Sequence, residues 1–422
     1  MFRRPTRLFA LSLFALPTAA GGPVIVVDDD GGPGVDFTSL QAAADAAPEG
    51  AVLLVRDGTY AGLTLQAKSL QIAAEMGSAP AVGSIEVRDL LPGQELLLRG
   101  LRSDSALPAG GLVLANNQGF VWVEDCVLGI PTLAASLFGA LPFEGAGVRA
   151  VDCAGVALLR CTLYGGYGLA ATPVVGMPAL SVEDASVWLY DCELTGATGF
   201  ATSLGLSQSD PGAGALVDGG FLWASGSRFE GGKGADGDSV FGSCFPPAGP
   251  GGTGLHEVAG KVRLLDTELA GGAGGEGPFD FTTFSNCPDG PPGPDLVQDG
   301  GLFLEFAGSA RSFSASTPES EGGQVALSYG GEPGDAVFLL LSFAQLHEFR
   351  PELTGTLLLP DPPAVSFAGT IGAGGTLQAS VPVPDFGPGF QALTLYAQSI
   401  HLDTTGALVL GPGSAVVLLD AP

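Results

Sequence analysis

Side chains able to do chemistry recur at one position of a repeated phrase. The clear copies are Phe120-Val-Trp-Val-Glu-Asp-Cys126, Val156-Ala-Leu-Leu-Arg-Cys161 and Val187-Trp-Leu-Tyr-Asp-Cys192, followed by the weaker Phe221-Leu-Trp-Ala-Ser-Gly-Ser227 and Val262-Arg-Leu-Leu-Asp-Thr267. A degenerate earlier copy, Glu95-Leu-Leu-Leu-Arg-Gly100, puts glycine where the others have Cys, Ser or Thr. Aligned on these anchors, Arg99, Asp125, Arg160 and Asp191 fall on successive copies, and Asp266 follows after a gap at Gly226. An arginine between carboxylates is what proton abstraction from a neutralised uronate would use, with Arg160 as base and Asp125 and Asp191 beside it or holding Ca²⁺. The same alternation of sign at about 4.8 Å is also what a salt-bridge ladder between stacked strands requires. The three histidines, His256, His347 and His401, do not share these copies' anchor positions.

Three further sets carry possible function. Trp122, Trp188 and Trp223 stand next to inward apolar positions and so face out of their strands, where they form either a sugar-stacking platform or packing beneath the long loops. Gly231-Gly-Lys-Gly-Ala-Asp236-Gly-Asp238 matches half of a calcium nonapeptide, but its neighbour lies 40 residues on, with Glu276 for aspartate. A turn-rich loop is the alternative to a Ca²⁺ site there, as a solvated turn is for Asp28, Asp29 and Asp30. Cys126, Cys161 and Cys192 share one inward position and read as small buried hydrophobes. Cys244 and Cys287 sit instead at matching points of two similar Gly/Pro loops, 43 residues apart. A disulfide between them would pin two floppy insertions, worth roughly 2 to 4 kcal/mol.

The elements that must position these groups are strands. The anchors lie 26, 35, 31, 35 and 40 residues apart, a period that points to a solenoid with loop insertions. Each copy follows a second short strand, so equivalent strands stack in parallel and bury alternate residues such as Val187, Leu189, Cys192 and Leu194. Before the repeat, Leu40, Ala43, Ala44 and Ala47 fall on one face of a short helix that Thr38 or Asp36 can cap. That helix would cover the first rung and its strand edges.

Val35-Asp-Phe-Thr-Ser-Leu-Gln-Ala-Ala-Ala-Asp-Ala-Ala-Pro-Glu-Gly50 followed by Ala51-Val-Leu-Leu-Val-Arg-Asp-Gly-Thr-Tyr60 resembles the opening of pectin-lyase-like right-handed parallel β-helix proteins, specifically secreted bacterial members that do not look enzymatic. The resemblance covers about residues 24 to 321 and implies an N-terminal capping helix, with the Asp-Gly-Thr-Tyr stretch beginning the first coil. The family includes polygalacturonases and polysaccharide lyases. The hydrolases' Asn-Thr-Asp, Gly-His-Gly and Arg-x-Lys phrases are absent here, and the adjacent aspartates Asp28-Asp29-Asp30 precede the repeat and lie in none of its copies. Over residues 322–422 the copies give way to six long apolar strands, which suggest a C-terminal β-sandwich. That segment resembles a C-terminal module common in secreted proteins of environmental bacteria.

Arg3, Arg4 and Arg7, the apolar run Leu8–Leu16 and Thr18-Ala-Ala20 read as a signal peptide over residues 1–20. Pro17 ends the run too early for a membrane span. Cleavage would leave 13 basic against 44 acidic side chains, a formal charge of −31. A surface so acidic repels phosphates, which excludes nucleic acid as a partner and leaves neutral glycans, cations or basic surfaces. With 67 Gly and 32 Pro, the composition favours short strands and frequent turns. The expectation is an all-β protein at the cell surface or outside it: a right-handed parallel β-helix over 21–321 and a sandwich over 322–422. Its expected role is non-catalytic, structural or glycan-binding, with a diverged lyase or hydrolase as the alternative.

Overall fold

The computed structural model describes residues 22–103, 111–129, 145–168, 175–200, 209–237, 244, 247–280, 285–350, 353–360, 363–387 and 389–420. The expected signal peptide, residues 1–20, lies outside this range, as does Asp238. The chain is almost entirely β, with one short helix, Leu40–Ala46, among the described residues.

Parallel strands stack in three columns. The first runs from Leu63–Gln66 to Leu296–Gln298, and the second from Val24–Val27 to Leu302–Phe306. The two merge into a 16-stranded sheet because Ala215–Ser225 and Leu255–Leu265 each cross both without a break. The third column is an eight-stranded sheet from Thr59–Tyr60 to Glu268–Ala270. Within a copy the strands never pair with one another; each pairs with its equivalent in the next, as Val121 does with Val156, and Val156 with Val187. The arrangement is solenoid-like, and alternate residues of all three columns fill one apolar column that contains Leu98, Val123, Leu158, Leu189 and Leu222. Cys126, Cys161 and Cys192 lie within it, fully buried and unpaired.

The helix covers one end of this column. Leu40, Ala43, Ala44 and Ala47 are buried against the first rungs. Its N-cap is Ser39, whose Oγ accepts from the Ala42 N–H at 3.3 Å, and not Thr38 or Asp36. Ser39 is the residue with extended backbone immediately before the first helical turn, which is the geometry a cap requires.

From Ser312 onward the strands are mostly antiparallel. The strand Ser312–Ala315 pairs with Gln324–Gly330, so this part begins ten residues before the change in composition. A three-stranded and a five-stranded sheet share an apolar cluster with Phe313, Tyr329, Val337 and Val416. A second cluster joins the outer face of the five-stranded sheet to the outer face of the second column, and it includes Trp122, Trp188, Trp223, Tyr396, Leu358 and Val417.

The described segments of the glycine-rich insertions are hydrogen-bonded to one another, not loose turns. Segments 196–200, 209–214, 231–237, 247–254, 271–278 and 287–295 run out from the rungs and back, bonded to one another in steps of three. Gly231, Gly234 and Gly237 donate to the carbonyls of Ala270, Ala273 and Glu276, and Gly249 and Gly252 donate to Ala235 and Gly232. A three-residue period, bonds between segments and a Gly/Pro composition identify these as polyproline II chains packed side by side. Contact is so close that a Cβ on Gly232 would lie 1.8 Å from the Ala197 carbonyl oxygen. The far end is joined by a Cys244–Cys287 disulfide, with Cα atoms 5.7 Å apart.

Candidate functional site

The turn between the second and third columns is a single residue at positive φ: Gly100, Asp125, Arg160, Asp191, Gly226 and Asp266 in successive rungs. Glycine and aspartate suit that conformation, whereas arginine does not normally adopt it. The position also corrects the alignment of the first copy. Arg99 pairs in register with Glu124, so it is Gly100, not Arg99, that matches Asp125. Arg99 therefore ends its strand on the outer face, beside Glu124.

That one-residue shift builds a buried ion cluster. Arg99 meets Glu124 and Asp125, each at 2.8 Å, and Arg160 binds Glu124 and, through Nε, Asp125 at 2.8 Å. The remaining bonds cross to the C-terminal part. Arg99 donates to the carbonyls of Ala415 at 2.7 Å and Ala315 at 3.1 Å, and Arg160 donates to those of Phe313 at 2.7 Å and Gly413 at 3.2 Å. Glu124, wholly buried, also accepts from Ser414 Oγ at 2.6 Å, the Ala415 N–H at 2.7 Å and Trp122 Nε1 at 2.8 Å. Burial alone would lower the Arg160 pKa, but the Glu124 and Asp125 carboxylates outweigh it and raise it. An arginine in this setting keeps its proton and is not a base. The cluster is a joint between the two parts of the chain.

The tryptophans belong to the same joint. Trp122 and Trp223 are wholly buried and Trp188 nearly so. Tyr396 lies 5.2 Å from Trp122, His347 lies 4.7 Å from Trp188 and Phe349 lies 5.9 Å from Trp223, ring centroid to centroid. What covers them is the C-terminal part and not the glycine-rich insertions, so no indole face is open to a sugar. His347 is held neutral here, with burial lowering its pKa to about 3.

Beyond Arg160 the same turn column is open. A groove of about 540 Å³ is lined by Asp191, Glu193, Arg228, Asp266, Glu268 and Glu305, with Gly226 at its floor. Gly226 leaves no room for a side chain of its own: a Cβ there would lie 2.6 Å from Asp191 Oδ1 and 3.0 Å from the Ala310 Cβ. Arg228 is half exposed among the acids, 3.2 Å from Glu230 and 3.9 Å from Glu268. Burial lifts the Asp191 pKa to about 6, against the pull of Arg160. Asp266 is tied by the Ala310 N–H at 2.8 Å. Arg160, Asp125 and Asp191 are thus neighbours in the column, but only Asp191 reaches the groove. Arg228, Glu268 and Glu305 escaped the reading of the sequence, as did Glu124 in the joint. The Glu124 signal was its alternation with Trp122 on one strand face.

In the insertions, Asp236 and Glu276 do come together, and the Lys233 ammonium bridges them at 2.8 and 3.1 Å, in the space a cation would need. Among the described residues no three His, Cys, Asp or Glu side chains are grouped to hold a metal ion, and no helix is long and apolar enough to cross a membrane. In the C-terminal part Ser399 Oγ lies 3.2 Å from His401 Nε2, and His401 Nδ1 lies 3.6 Å from Asp335 Oδ2. The order suits acyl transfer, yet all three are sealed from solvent, and Arg311 holds Asp335 at 2.6 Å. Without access for a substrate, the three form a structural network. No protein-family model matches the chain, and neither a curated protein nor a solved structure does.

Proposed function

We propose that the chain is an exported right-handed parallel β-helix of the pectin-lyase-like kind, with a C-terminal β-sandwich docked along one face. It serves as a rigid, non-catalytic scaffold outside the cell or on its surface and binds neutral polysaccharide. The observation that carries this reading is the use of Arg160. Its donors are taken up by Asp125, Glu124 and the carbonyls of Phe313 and Gly413, so the one constellation suited to a lyase holds two parts of the molecule together instead. Polysaccharide would lie in the open groove, where Asp191, Glu193, Arg228 and Glu268 offer acceptors and a donor to sugar hydroxyls. The acidity of the groove disfavours uronates and phosphates. An array of neutral and acidic glycans, with parallel assays for unsaturated uronate, tests the reading with and without Ca²⁺. Binding to neutral glycan that weakens at least tenfold in Arg228→Ala, without turnover, supports it. Formation of double bonds on a uronate polymer overturns it.

A second reading, a diverged glycoside hydrolase, is favoured by the Asp191 pKa of about 6. Asp191 and Asp266 stand two rungs apart, about 9.6 Å at the usual strand spacing, near the upper end of the range for an acid and base that flank a water. Release of reducing sugar abolished by Asp191→Asn would establish it.

A further inference from the structure

The outermost returning segment of the glycine bundle, Cys287-Pro-Asp-Gly-Pro-Pro-Gly-Pro-Asp295, presents prolines to solvent at a three-residue interval. Its inner ridge is Cys287, Gly290 and Gly293. Gly290 and Gly293 donate to the carbonyls of Gly275 and Gly272, and Cys287 donates to that of Pro278. A Cβ on Gly293 would lie 2.0 Å from the Gly252 carbonyl oxygen, so that ridge is fixed as the buried one. The other two ridges face outward: Pro288, Pro291 and Pro294 on one, and Asp289, Pro292 and Asp295 on the other, all exposed. The carbonyls of Pro291 and Pro294 are held from behind by the Gly251 and Gly254 N–H groups, each at 3.0 Å. The carboxylates of Asp289 and Asp295 accept from the Gly277 and Gly271 N–H groups, each at 2.8 Å. The segment is also anchored at its start by the disulfide.

An isolated proline-rich peptide loses conformational entropy on docking; this one is already in the polyproline II form on a packed support. We infer that the Pro288–Asp295 ridge is a docking surface for a protein domain with an aromatic-lined groove and a basic rim. Prolines at a three-residue interval, about 9.3 Å in this conformation, match the spacing at which such grooves accept proline rings. The charge is what selects the rim. Asp289 and Asp295 flank the prolines on a chain of formal charge −28, so a groove edged by Lys or Arg is attracted and one edged by acids is repelled. This goes beyond the scaffold reading and does not depend on the groove at Asp191, which lies on the rungs and not on the bundle.

The test uses the full mature chain and isolated polyproline-reading domains of the SH3 and WW types, chosen in pairs with basic and acidic rims. Binding is read from saturable shifts of the indole signals of the added domain's own groove tryptophan, with the domain isotope-labelled and this chain unlabelled. Saturable binding to basic-rimmed domains is expected, at least tenfold weaker in the triple variant Pro288→Ala, Pro291→Ala, Pro294→Ala and unchanged in Lys233→Ala on the other layer. Thiol titration and thermal melts verify that the triple variant keeps its disulfide and fold. Absence of a saturable shift with every basic-rimmed domain overturns the inference, and so does equal binding by the triple variant. Loss of neutral-glycan binding in the triple variant also overturns it, because the ridge would then be a sugar surface. Glycan binding lost only in Arg228→Ala would leave the ridge inference standing and concern the groove alone.

Discussion

The turn column from Gly100 to Asp266 is one structural position put to two uses. Over Gly100, Asp125 and Arg160 it is roofed by the C-terminal part, and every charge there is paired. From Asp191 onward it is an open, acidic groove. The backbone conformation is the same in both halves, with φ between 48° and 71°. The difference arises from what stands on the neighbouring outer face. The tryptophan plate runs through both halves, but only Glu124 offers the C-terminal part a charged socket; the strand positions in register with it further along are Leu159, Tyr190 and Ser225. Repeat position alone does not define a site; the cover over it does.

The largest test of this contrast is Glu124→Ala. Two guanidiniums, Arg99 and Arg160, would lose a shared buried partner, and the Ser414 and Ala415 donors would lose their acceptor. Removing one member of a buried ion cluster costs about 3–5 kcal/mol. Chemical denaturation is expected to show the C-terminal part unfolding or detaching in a separate, earlier transition. A single unshifted transition would mean that the joint is held by its apolar plate alone.

Acid should act on the same joint. His347 is buried against Trp188 and Phe120, neither ring nitrogen has a partner, and its pKa is about 3 against 6.5 in the unfolded chain. The unfolded state therefore takes up a proton first, and stability is lost as the pH falls from 6.5 towards 3. At pH 4 this amounts to about 3 kcal/mol. His401, lowered to about 4 by burial, adds to the loss over a narrower window. His347→Phe is expected to flatten the acid limb of the melting profile while leaving stability at pH 7 within about 1 kcal/mol. An unchanged acid limb would place the acid sensitivity elsewhere.

A smaller effect is expected at Gly413, which lies against Trp122. A Cβ there would lie 2.3 Å from Trp122 Cη2. Trp122 is wholly buried and has nowhere to retreat. Gly413→Ala should cost about 1–3 kcal/mol, read as a shift in the transition that reports on the joint. No shift would show that the sheet slides on the tryptophan face.

Much of the solenoid was legible because its signals are local. Period-two alternation and an anchor every few tens of residues expose the rungs, and the single apolar face of Leu40–Ala47 reveals the lid. The pairing of Cys244 with Cys287 followed from the likeness of two loops. The joint was not legible because its partners are far apart: Glu124 meets Ser414 and Ala415 across about 290 residues, and no local pattern announces which face a later sheet will cover. Alignment on the anchor cysteines puts Arg99 opposite Asp125, but a turn needing positive φ selects glycine first and sets Gly100 there instead. The insertions read as loose turns when glycine is weighed only as a breaker. Its three-residue period was there in Gly231, Gly234 and Gly237, repeated at Gly271, Gly274 and Gly277.

The finest test sits on the open side. Asp191 carries its charge at a cost: burial raises its pKa from 3.8 to about 6, so the ionised form disfavours the fold above pH 6 and protonation relieves this as the pH falls towards 3.8. Asp191→Asn removes the charge, in contrast to Glu124→Ala, which breaks a filled socket. At pH 8 the variant should be neutral to stabilising, because it removes a buried charge whose net cost remains after the pull of Arg160. Its stability should also depend less on pH between 4 and 6 than that of the parent, as followed by denaturant melts. A loss of several kcal/mol would mean that Asp191 is bound into the joint after all, and that the groove begins one rung further on, at Gly226.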